Sequence, residues 1–424
     1  MLLILVFAAF ILLLFAGCPI ALALGLPSTA ALYVMGMPLE MIAAKLVATL
    51  DSFTTMAAMF FILAGALMNE YGVSEKLFDF AEKCVGHLRG GLAHANILAS
   101  VIFAGMSGAA LADAAGLGAI EIREMTKRKY SKEISVGITG ASSIIGPIIP
   151  PSVPMVFYAV VAGSSVGKLF LAGVIPGIIC AVTLAIAVVI MAKRENVEML
   201  PRPTFWAWFR SLLHAAPSML TIVILLGGIY GGFCTPTEAA VIAVIYTILL
   251  GVLNRKFNWK GFIRLLFESM RTTARVMFIV ACAGLFGQVI IRTQLANTLA
   301  DVLLSTISSK VVILLLINLM LLILGCFLEQ IAAILVVTPI ILPIMTALGL
   351  SDIQSGLIIV FNLMVGLLTP PFGLVLFTLA DVGQLSMKRT IRGVIPFLIP
   401  LFLTLLIITF VPAVSDFLPN LFYS

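Results

Sequence analysis

The chain has 424 residues, of which 62% are hydrophobic and 10% charged, and its formal net charge is +6 at pH 7. Soluble globular domains carry about 25% charged residues, so this composition, with a mean hydropathy of +1.21, predicts an all-α polytopic membrane protein. The basic residues lie in short loops, where they set membrane topology. The positive charge is therefore not a sign of nucleic-acid binding. The apolar N-terminus has no basic leader or cleavage site, which predicts a retained span.

The first 90 residues predict spans and one surface helix. Residues 2–36 are apolar but interrupted by two prolines, so we expect two short or tilted spans. Another span is predicted from Phe53 to Met68. In a helix over residues 75–88, the apolar side chains would lie on one stripe and the charged side chains on the opposite face. This pattern favours a helix lying in the membrane interface, and a soluble loop helix is the alternative.

Two stretches predict helical hairpins that enter the membrane and return. The first is apolar over 92–104, breaks at 105–108 and is apolar again to residue 122. Each arm would reach roughly 20 Å, which is short of a bilayer core of about 30 Å. The second hairpin has arms at 311–324 and 331–342 around a tip at 325–330. Both patterns indicate re-entrant hairpins with small or polar tips.

Two apolar segments cannot be unbroken helices, because proline removes a backbone donor and clashes with the preceding turn. The first is 138–158 and the second centres on 366–371. In hydrocarbon the freed carbonyls must face protein or a wet cavity. Half-helix ends with free carbonyls bind small cations and carboxylates in transporters. We therefore interpret the two segments as the halves of one binding site.

The second segment repeats the first. Residues 146–177 recur 220 positions later with ten identities in 32 positions and no gap, including a Pro-Pro pair and the string GVIP. This pattern indicates an internal duplication. It divides the chain into a first repeat (1–193), a cytoplasmic interfacial linker (194–213) and a second repeat (214–424). We expect the moving parts at 91–160 and 311–380, and a fixed frame of helix 75–88 with spans 2–36 and 214–253.

Basic residues predict that the two repeats have opposite orientations. The loops around 123–132, 193–210, 255–264 and 388–392 are basic and are assigned to the cytoplasm. The loops that flank the second hairpin carry only acidic charge and are assigned to the outside. The result is an inverted-topology repeat, as found in many secondary transporters.

The polar residues at depth are few and define the candidate site. No catalytic set, phosphate loop or metal motif is present, so we expect no enzyme activity. Asp113 and Glu329 are costly within a membrane and are candidates for that reason. The candidate substrate ligands are Ser107, Asp113, Ser143, Gln330 and Thr369. The candidate sodium ligands are Gly105, Ser107, Gly146, Ile148, Pro151, Gly325, Glu329, Gly366, Leu368 and Pro371.

Each candidate has a structural alternative. Hydroxyls can bond to their own helix backbone, and glycines can allow close helix packing. Glu238 is interpreted as a cap at a helix start rather than a site residue. The six cysteines lack metal-ligand spacing and are interpreted as packed thiols.

Several segments resemble the large membrane subunit of TRAP transporters, and together they cover almost the whole chain. They are FILAG at 61–65, HLRGGLAHANILASVIFAGMSGAALADAAGLGAIEI at 87–122, ASSIIGPIIPPSVPMVFY at 141–158, GGFCTPTEAAVIAV at 231–244, FLEQIAAILVVTPIILP at 327–343 and GLLTPPFGLVLF at 366–377. The resemblance implies a sodium-coupled, elevator-type transporter of organic acids such as C4-dicarboxylates or sugar acids. It also implies sodium sites at the hairpin tips and helix breaks. Glu329 stands where the family has an aspartate, and Ala109 where a serine is common.

The resemblance also implies partners. They are a small four-helix membrane subunit and a periplasmic substrate-binding protein, acting in a bacterial inner membrane. No extra four-helix segment precedes Met1, so we expect the small subunit to be a separate chain. The alternatives are a stand-alone sodium–carboxylate symporter of the same superfamily, or a membrane channel or scaffold. A scaffold would not need two hairpins and two broken helices.

One prediction follows from the first predicted sodium cluster. Ser107→Ala removes a hydroxyl next to free carbonyls and should weaken sodium binding by about 1–3 kcal/mol, the cost of a lost polar partner. Uptake into reconstituted vesicles should then require a higher sodium concentration at unchanged protein abundance. An unchanged sodium dependence would remove Ser107 from the site.

Overall fold

The computed structural model describes residues 2–192 and 199–423, and the side chains of all of these except Met106 and Ser107. The described residues form helices joined by turns, with no strand among them. Eight of these helices are long and apolar enough to cross a membrane. The prediction of an all-α multi-pass membrane protein is therefore confirmed.

Residues 2–192 form eleven helices. They are α1 Leu2–Phe15, α2 Ile20–Val34, α3 Leu39–Leu50, α4 Phe53–Glu70, α5 Val73–Val85, α6 Gly91–Ser107, α7 Ala110–Ala115, α8 Leu117–Lys127, α9 Lys132–Ser143, α10 Val153–Ala162 and α11 Val166–Ala192.

Ten helices follow in the second part of the described chain. They are α12 Phe205–Tyr230, α13 Pro236–Leu253, α14 Trp259–Arg292, α15 Leu295–Thr306, α16 Lys310–Phe327, α17 Gln330–Ala347, α18 Asp352–Leu368, α19 Leu374–Gly383, α20 Met387–Phe410 and α21 Pro412–Phe422.

Helix boundaries recur at the offset of the sequence repeat. Helices α8 and α17 end at Lys127 and Ala347, and α9 and α18 begin at Lys132 and Asp352, each 220 positions apart. The hairpins α6–α8 and α16–α17 and the broken helices α9–α10 and α18–α19 therefore occupy equivalent places in the chain. The opposite membrane orientation of the two copies stays a prediction.

The two copies differ in where their helices are interrupted. The second arm of the first hairpin is divided at Gly116 into α7 and α8, whereas α17 is continuous through two prolines. Helices α16 and α17 each have 18 residues, or about 27 Å, so these arms are longer than the sequence pattern predicted. Helix α14 is a single 34-residue helix. Trp259, Phe262, Ile263 and Leu266 have the sequence pattern of a separate helix on the membrane surface, but they form the first turns of α14.

One predicted boundary changes, at the end of the linker. Helix α12 begins at Phe205 because Pro201 and Pro203 end the preceding loop and no proline follows until Pro217. The linker predicted over 194–213 is therefore helical from Phe205 onward, and its residues 194–198 lie outside the described residues. Helix α13 begins as predicted with a cap, since Glu238 and Thr235 form a reciprocal capping box.

The apolar stripe of α5 contacts protein. Leu77, Phe78 and Ala81 are buried where α5 packs against α6 and α12. Their burial contributes on the order of 25 cal/mol per Å² of apolar area, so this helix is held by its neighbours. The predicted position of α5 in the membrane interface stays a prediction.

The hairpins and broken helices pack crosswise between the two repeats. Helix α7, after the first tip, packs against α19, after the second break. Helix α17, after the second tip, packs against α10, after the first break. A separate apolar cluster joins α1–α3 to the second half of α14 through side chains such as Phe10, Leu24 and Phe286. The crosswise contacts make the four elements of the candidate site one packed unit.

The equivalent helix ends offer a direct test of inverted topology. Lys127 and Ala347 are both exposed and occupy the same place in their repeats. In a cysteine-free background, Lys127→Cys should react only with a membrane-impermeant reagent applied from the cytoplasm, because the loop after it is basic. Ala347→Cys should react only from the outside. Labelling of both from one side would contradict the inverted repeat.

Candidate functional site

The first hairpin tip lies on the first helix break. Helix α9 ends at Ser143 and α10 begins at Val153, which leaves a non-helical connection within an apolar part of the chain. The tip turns at Gly108, and a Cβ atom placed there would lie 2.6 Å from the carbonyl oxygen of Pro151. The predicted sodium ligand Pro151 is therefore next to the tip that follows Ser107, whose side chain lies outside the described part of the chain.

Asp113 and Gly146, two predicted site residues, lie together. The Asp113 carboxylate is 2% exposed, and a Cβ on Gly146 would lie 2.2 Å from its Oδ2 atom. The absence of a side chain at Gly146 makes room for the carboxylate. The predicted ligand Ile148 has a different neighbour, because a Cβ on Gly173 of α11 would lie 2.1 Å from the Ile148 carbonyl oxygen. That carbonyl is covered by α11.

Behind the first break lies a buried polar network that was not predicted from the sequence. The side-chain amide of Asn96 in α6 donates to the Thr139 hydroxyl at 2.6 Å. The side-chain oxygen of Asn96 accepts from the Ser142 hydroxyl, also at 2.6 Å. Glu121 of α8 is 1% exposed. Asn96 and Glu121 could have been found in the sequence, because polar and charged residues within an apolar stretch are costly in a membrane. The predicted substrate ligand Ser143 donates instead to Gly140 of its own helix.

The second hairpin tip lies on the second helix break in the same way. The Cys326 thiol is 3.4 Å from the carbonyl oxygen of Thr369, and the rings of Phe327 and Phe372 are 5.2 Å apart. The Thr369 hydroxyl donates to Val365 in the preceding turn. Cys326, interpreted from the sequence as a packed thiol, thus contacts the break directly.

Gly325 and Gly366 are the point of closest approach between α16 and α18. A Cβ on Gly366 would lie 2.6 Å from the Gly325 Cα and 3.0 Å from the Leu322 carbonyl oxygen. No side chain fits between two backbones at this distance, so both glycines are needed for packing. Leu368, at the end of α18, is fully buried. Pro371, in the break, is exposed.

Glu329 and Gln330 have different environments at the second tip. One carboxylate oxygen of Glu329 accepts hydrogen bonds from the Ile331 and Ala332 amides at 3.0 and 3.1 Å. Glu329 is thus the N-cap of α17, which stabilises the start of this helix. Gln330 is 4% exposed, and its Oε1 atom has no hydrogen-bond partner among the described residues. This side-chain oxygen is therefore a buried polar atom that no described residue satisfies.

Both tips border one cavity of about 680 Å³. Ala109 comes from the first tip, Glu329 and Gln330 from the second, and Val153 from the start of α10. Helices α4 and α14 form the opposite wall, with Asn69, Thr272 and Arg275 as its polar residues. This volume is in the range of small-molecule sites, which combine mostly apolar walls with a few polar groups.

Arg275 is the cationic residue of this cavity wall. Its side chain is exposed, and it forms no ion pair within residues 2–192 and 199–423. A guanidinium group binds carboxylates in a bidentate manner. Arg275 was not predicted as a site residue, because it is far in sequence from both hairpin tips and both helix breaks.

Comparison with known proteins identifies the family. The model of the "Tripartite ATP-independent periplasmic transporter, DctM component" matches residues 7–414. The chain belongs to this TRAP transporter family. It is therefore a transporter subunit and not an enzyme, as the sequence predicted.

Two relatives and one solved structure extend the match. The chain is 42% identical over 412 residues to the sialic acid TRAP transporter large permease protein SiaM of Vibrio cholerae serotype O1, covering 97% of this chain and 96% of that protein. It is 40% identical over 380 residues to the C4-dicarboxylate TRAP transporter large permease protein DctM of Pseudomonas aeruginosa, covering 89% of each. Its fold is similar to the crystal structure of the Alcanivorax borkumensis YdaH transporter, with a TM-score of 0.66, 14% identity and 88% coverage of both chains.

The close approach of α16 and α18 predicts the effect of one substitution. Gly366→Ala should lower the thermal unfolding midpoint of the purified protein, because two backbones must separate and overpacking of this kind costs about 1–3 kcal/mol. Gly227→Ala is the matched control. Its Cβ would have no neighbour within 4 Å, so it should leave the midpoint unchanged or raise it. Equal midpoints for Gly366→Ala and the wild-type protein would contradict the packing described.

Proposed function

We propose that this TRAP permease chain moves an organic acid across a bacterial inner membrane, driven by sodium and by an elevator movement. The observation that carries the proposal is the convergence of two hairpin tips and the first helix break on one cavity, whose wall carries an arginine without an ion pair among the described residues. Free backbone carbonyls at helix breaks suit a small cation, and a guanidinium suits an organic anion. The two relatives named for sialic acid and for C4-dicarboxylate are both named for acids.

The sodium sites are proposed where each tip lies on a break. In the first cluster, Gly146 and Pro151 would contribute backbone oxygens next to Gly105 and Ser107. The Ile148 carbonyl, which faces α11, would have to turn toward the ion to take part. In the second cluster, the end of α18 contains Gly366 and Leu368 and lies against Gly325. Glu329 would offer the carboxylate oxygen that does not cap α17. Substrate would lie in the cavity beside Gln330, whereas the other predicted ligand of this region, Thr369, does not line it.

The crosswise packing supports movement of the site as one unit. A hydrophilic acid cannot face hydrocarbon, so the site has to move within a protein shell or be gated there. Because each hairpin packs on the broken helix of the other repeat, the four elements can move together against α4 and α14. The cavity lies between these two groups, where such a movement would expose it to one side of the membrane and then the other.

The proposal includes two partners. A small four-helix membrane subunit would hold the frame, and a periplasmic binding protein would deliver the acid. Uptake of radiolabelled succinate and sialic acid, by vesicles containing all three proteins, should require a sodium gradient and the binding protein. Uptake without the binding protein at the same rate would favour the stand-alone symporter, and flux without a sodium requirement would favour a channel.

Arg275 gives the sharpest prediction within this proposal. Arg275→Ala should raise the apparent KM for the transported acid about tenfold to a hundredfold, since a hydrogen bond to a charged group contributes about 1.5–3 kcal/mol. Arg275→Lys should recover part of the loss, because it keeps the charge but not the bidentate geometry.

Arg271 is the matched control for this measurement. It is exposed, lies one turn earlier on α14 and does not line the cavity. Arg271→Ala should transport with the wild-type KM. If both variants change KM equally, the effect is one of general surface charge, and Arg275 does not contact the substrate.

A further inference from the structure

A second cavity, which shares no lining residue with the transport site, lies between α5 and α12. Lys76, Asp79 and Lys83 point from one face of α5, at spacings of three and four residues. Trp206, Arg210 and His214 face them from α12 at spacings of four. Together they line a groove of about 520 Å³, which we call the α5–α12 groove.

An apolar contact fixes the floor of this groove. The rings of Phe80 and Trp208 lie 6.4 Å apart, and the Trp208 indole nitrogen donates to the Cys84 sulfur at 3.4 Å. These contacts set the two helices side by side. The polar residues on either side of the contact are thereby held at the rim.

The groove is positively charged. Lys76, Lys83 and Arg210 face a single carboxylate, Asp79. Lys83 and Arg210 form no ion pair in the described part of the chain. Lys76 donates to Asn254 at 2.6 Å, and burial together with repulsion from Lys256 lowers the pKa of its ammonium group. An anion in the groove would relieve this repulsion.

Exposed aromatic residues lie beside the groove at the start of α12. Phe205, Trp206 and Phe209, in the first turns of α12, are 66%, 73% and 36% exposed. Aromatic side chains of this kind are enriched at the membrane–water interface. The aromatic residues and the basic residues occur on the same two turns of α12. Such a combination fits a lipid that has a charged head and apolar tails.

We propose that the α5–α12 groove binds the headgroup of an anionic phospholipid, with phosphate oxygens on Lys83 and Arg210 and acyl chains along Phe205 and Trp206. Basic pockets between helices on the cytoplasmic side bind such headgroups. Helix α5 also packs against the hairpin helix α6, and α12 is followed directly by the frame helix α13. The lipid would therefore hold together α5 and α12, two elements of the predicted frame, beside the hairpin. This proposal does not depend on which acid is transported.

Cardiolipin is the probe for this site. Native mass spectrometry of the purified wild-type protein should show cardiolipin bound in preference to phosphatidylcholine. The double variant Lys83→Ala/Arg210→Ala should weaken cardiolipin binding about thirtyfold, since each basic residue near an anionic surface contributes on the order of a fivefold factor. The charge-retaining variant Lys83→Arg/Arg210→Lys should keep most of the binding, which separates loss of charge from misfolding.

A second pair of cations provides the control. Lys260 and Lys388 are exposed, lie outside the groove and are predicted on the same side of the membrane. Lys260→Ala/Lys388→Ala removes the same charge and should retain wild-type cardiolipin binding. Equal binding by the groove variant and the wild-type protein, or equal loss in both double variants, would overturn the proposal. Stabilisation of the protein by inorganic phosphate to the same extent as by cardiolipin would reveal a small-anion site and overturn the lipid assignment.

Discussion

Backbone carbonyls and amides that are freed inside an apolar chain need partners, and the rest of this structure depends on how that need is met. Where the helices break near Pro151 and Thr369, lipid cannot supply those partners. Each break is covered by a hairpin tip, and each hairpin packs on the helix after the break of the other repeat. Each break is therefore covered by the hairpin of its own repeat, and the crosswise helix contacts join the two repeats. The same arrangement places both hairpin tips and the start of α10 beside one cavity.

Much of the fold could be predicted from the sequence because prolines and glycines mark helix breaks directly. The hairpins, both broken helices and the Glu238 cap follow from residue types at fixed positions. The continuity of α14 was not predicted, although no proline separates the residues after Trp259 from the span that follows. The division of α7 from α8 at Gly116 was also missed. Whether a single glycine interrupts a helix depends on the tertiary contacts around it.

The candidate site could be predicted only in part. The sequence set each hairpin tip against the helix break of its own repeat, and the structure places Asp113 beside Gly146 and Gly325 beside Gly366. The direction of a carbonyl such as that of Ile148 depends on the fold of a loop, which no sequence pattern specifies. Arg275 was missed because it lies on a helix of the opposite wall, far in sequence from either tip. Contacts between distant helices require the structure.

The central claim is that both hairpins and both broken helices move as one unit against a frame. Electron–electron distance measurements with spin labels at Ala347, in that unit, and Phe233, in the α12–α13 turn, test it directly in vesicles. Both residues are exposed and predicted on the same side of the membrane. Adding sodium and the organic acid should shift the Ala347–Phe233 distance, while a Lys127–Ala347 pair within the unit keeps its distance. A constant Ala347–Phe233 distance, or a change within the Lys127–Ala347 pair, would contradict movement of the site as one unit.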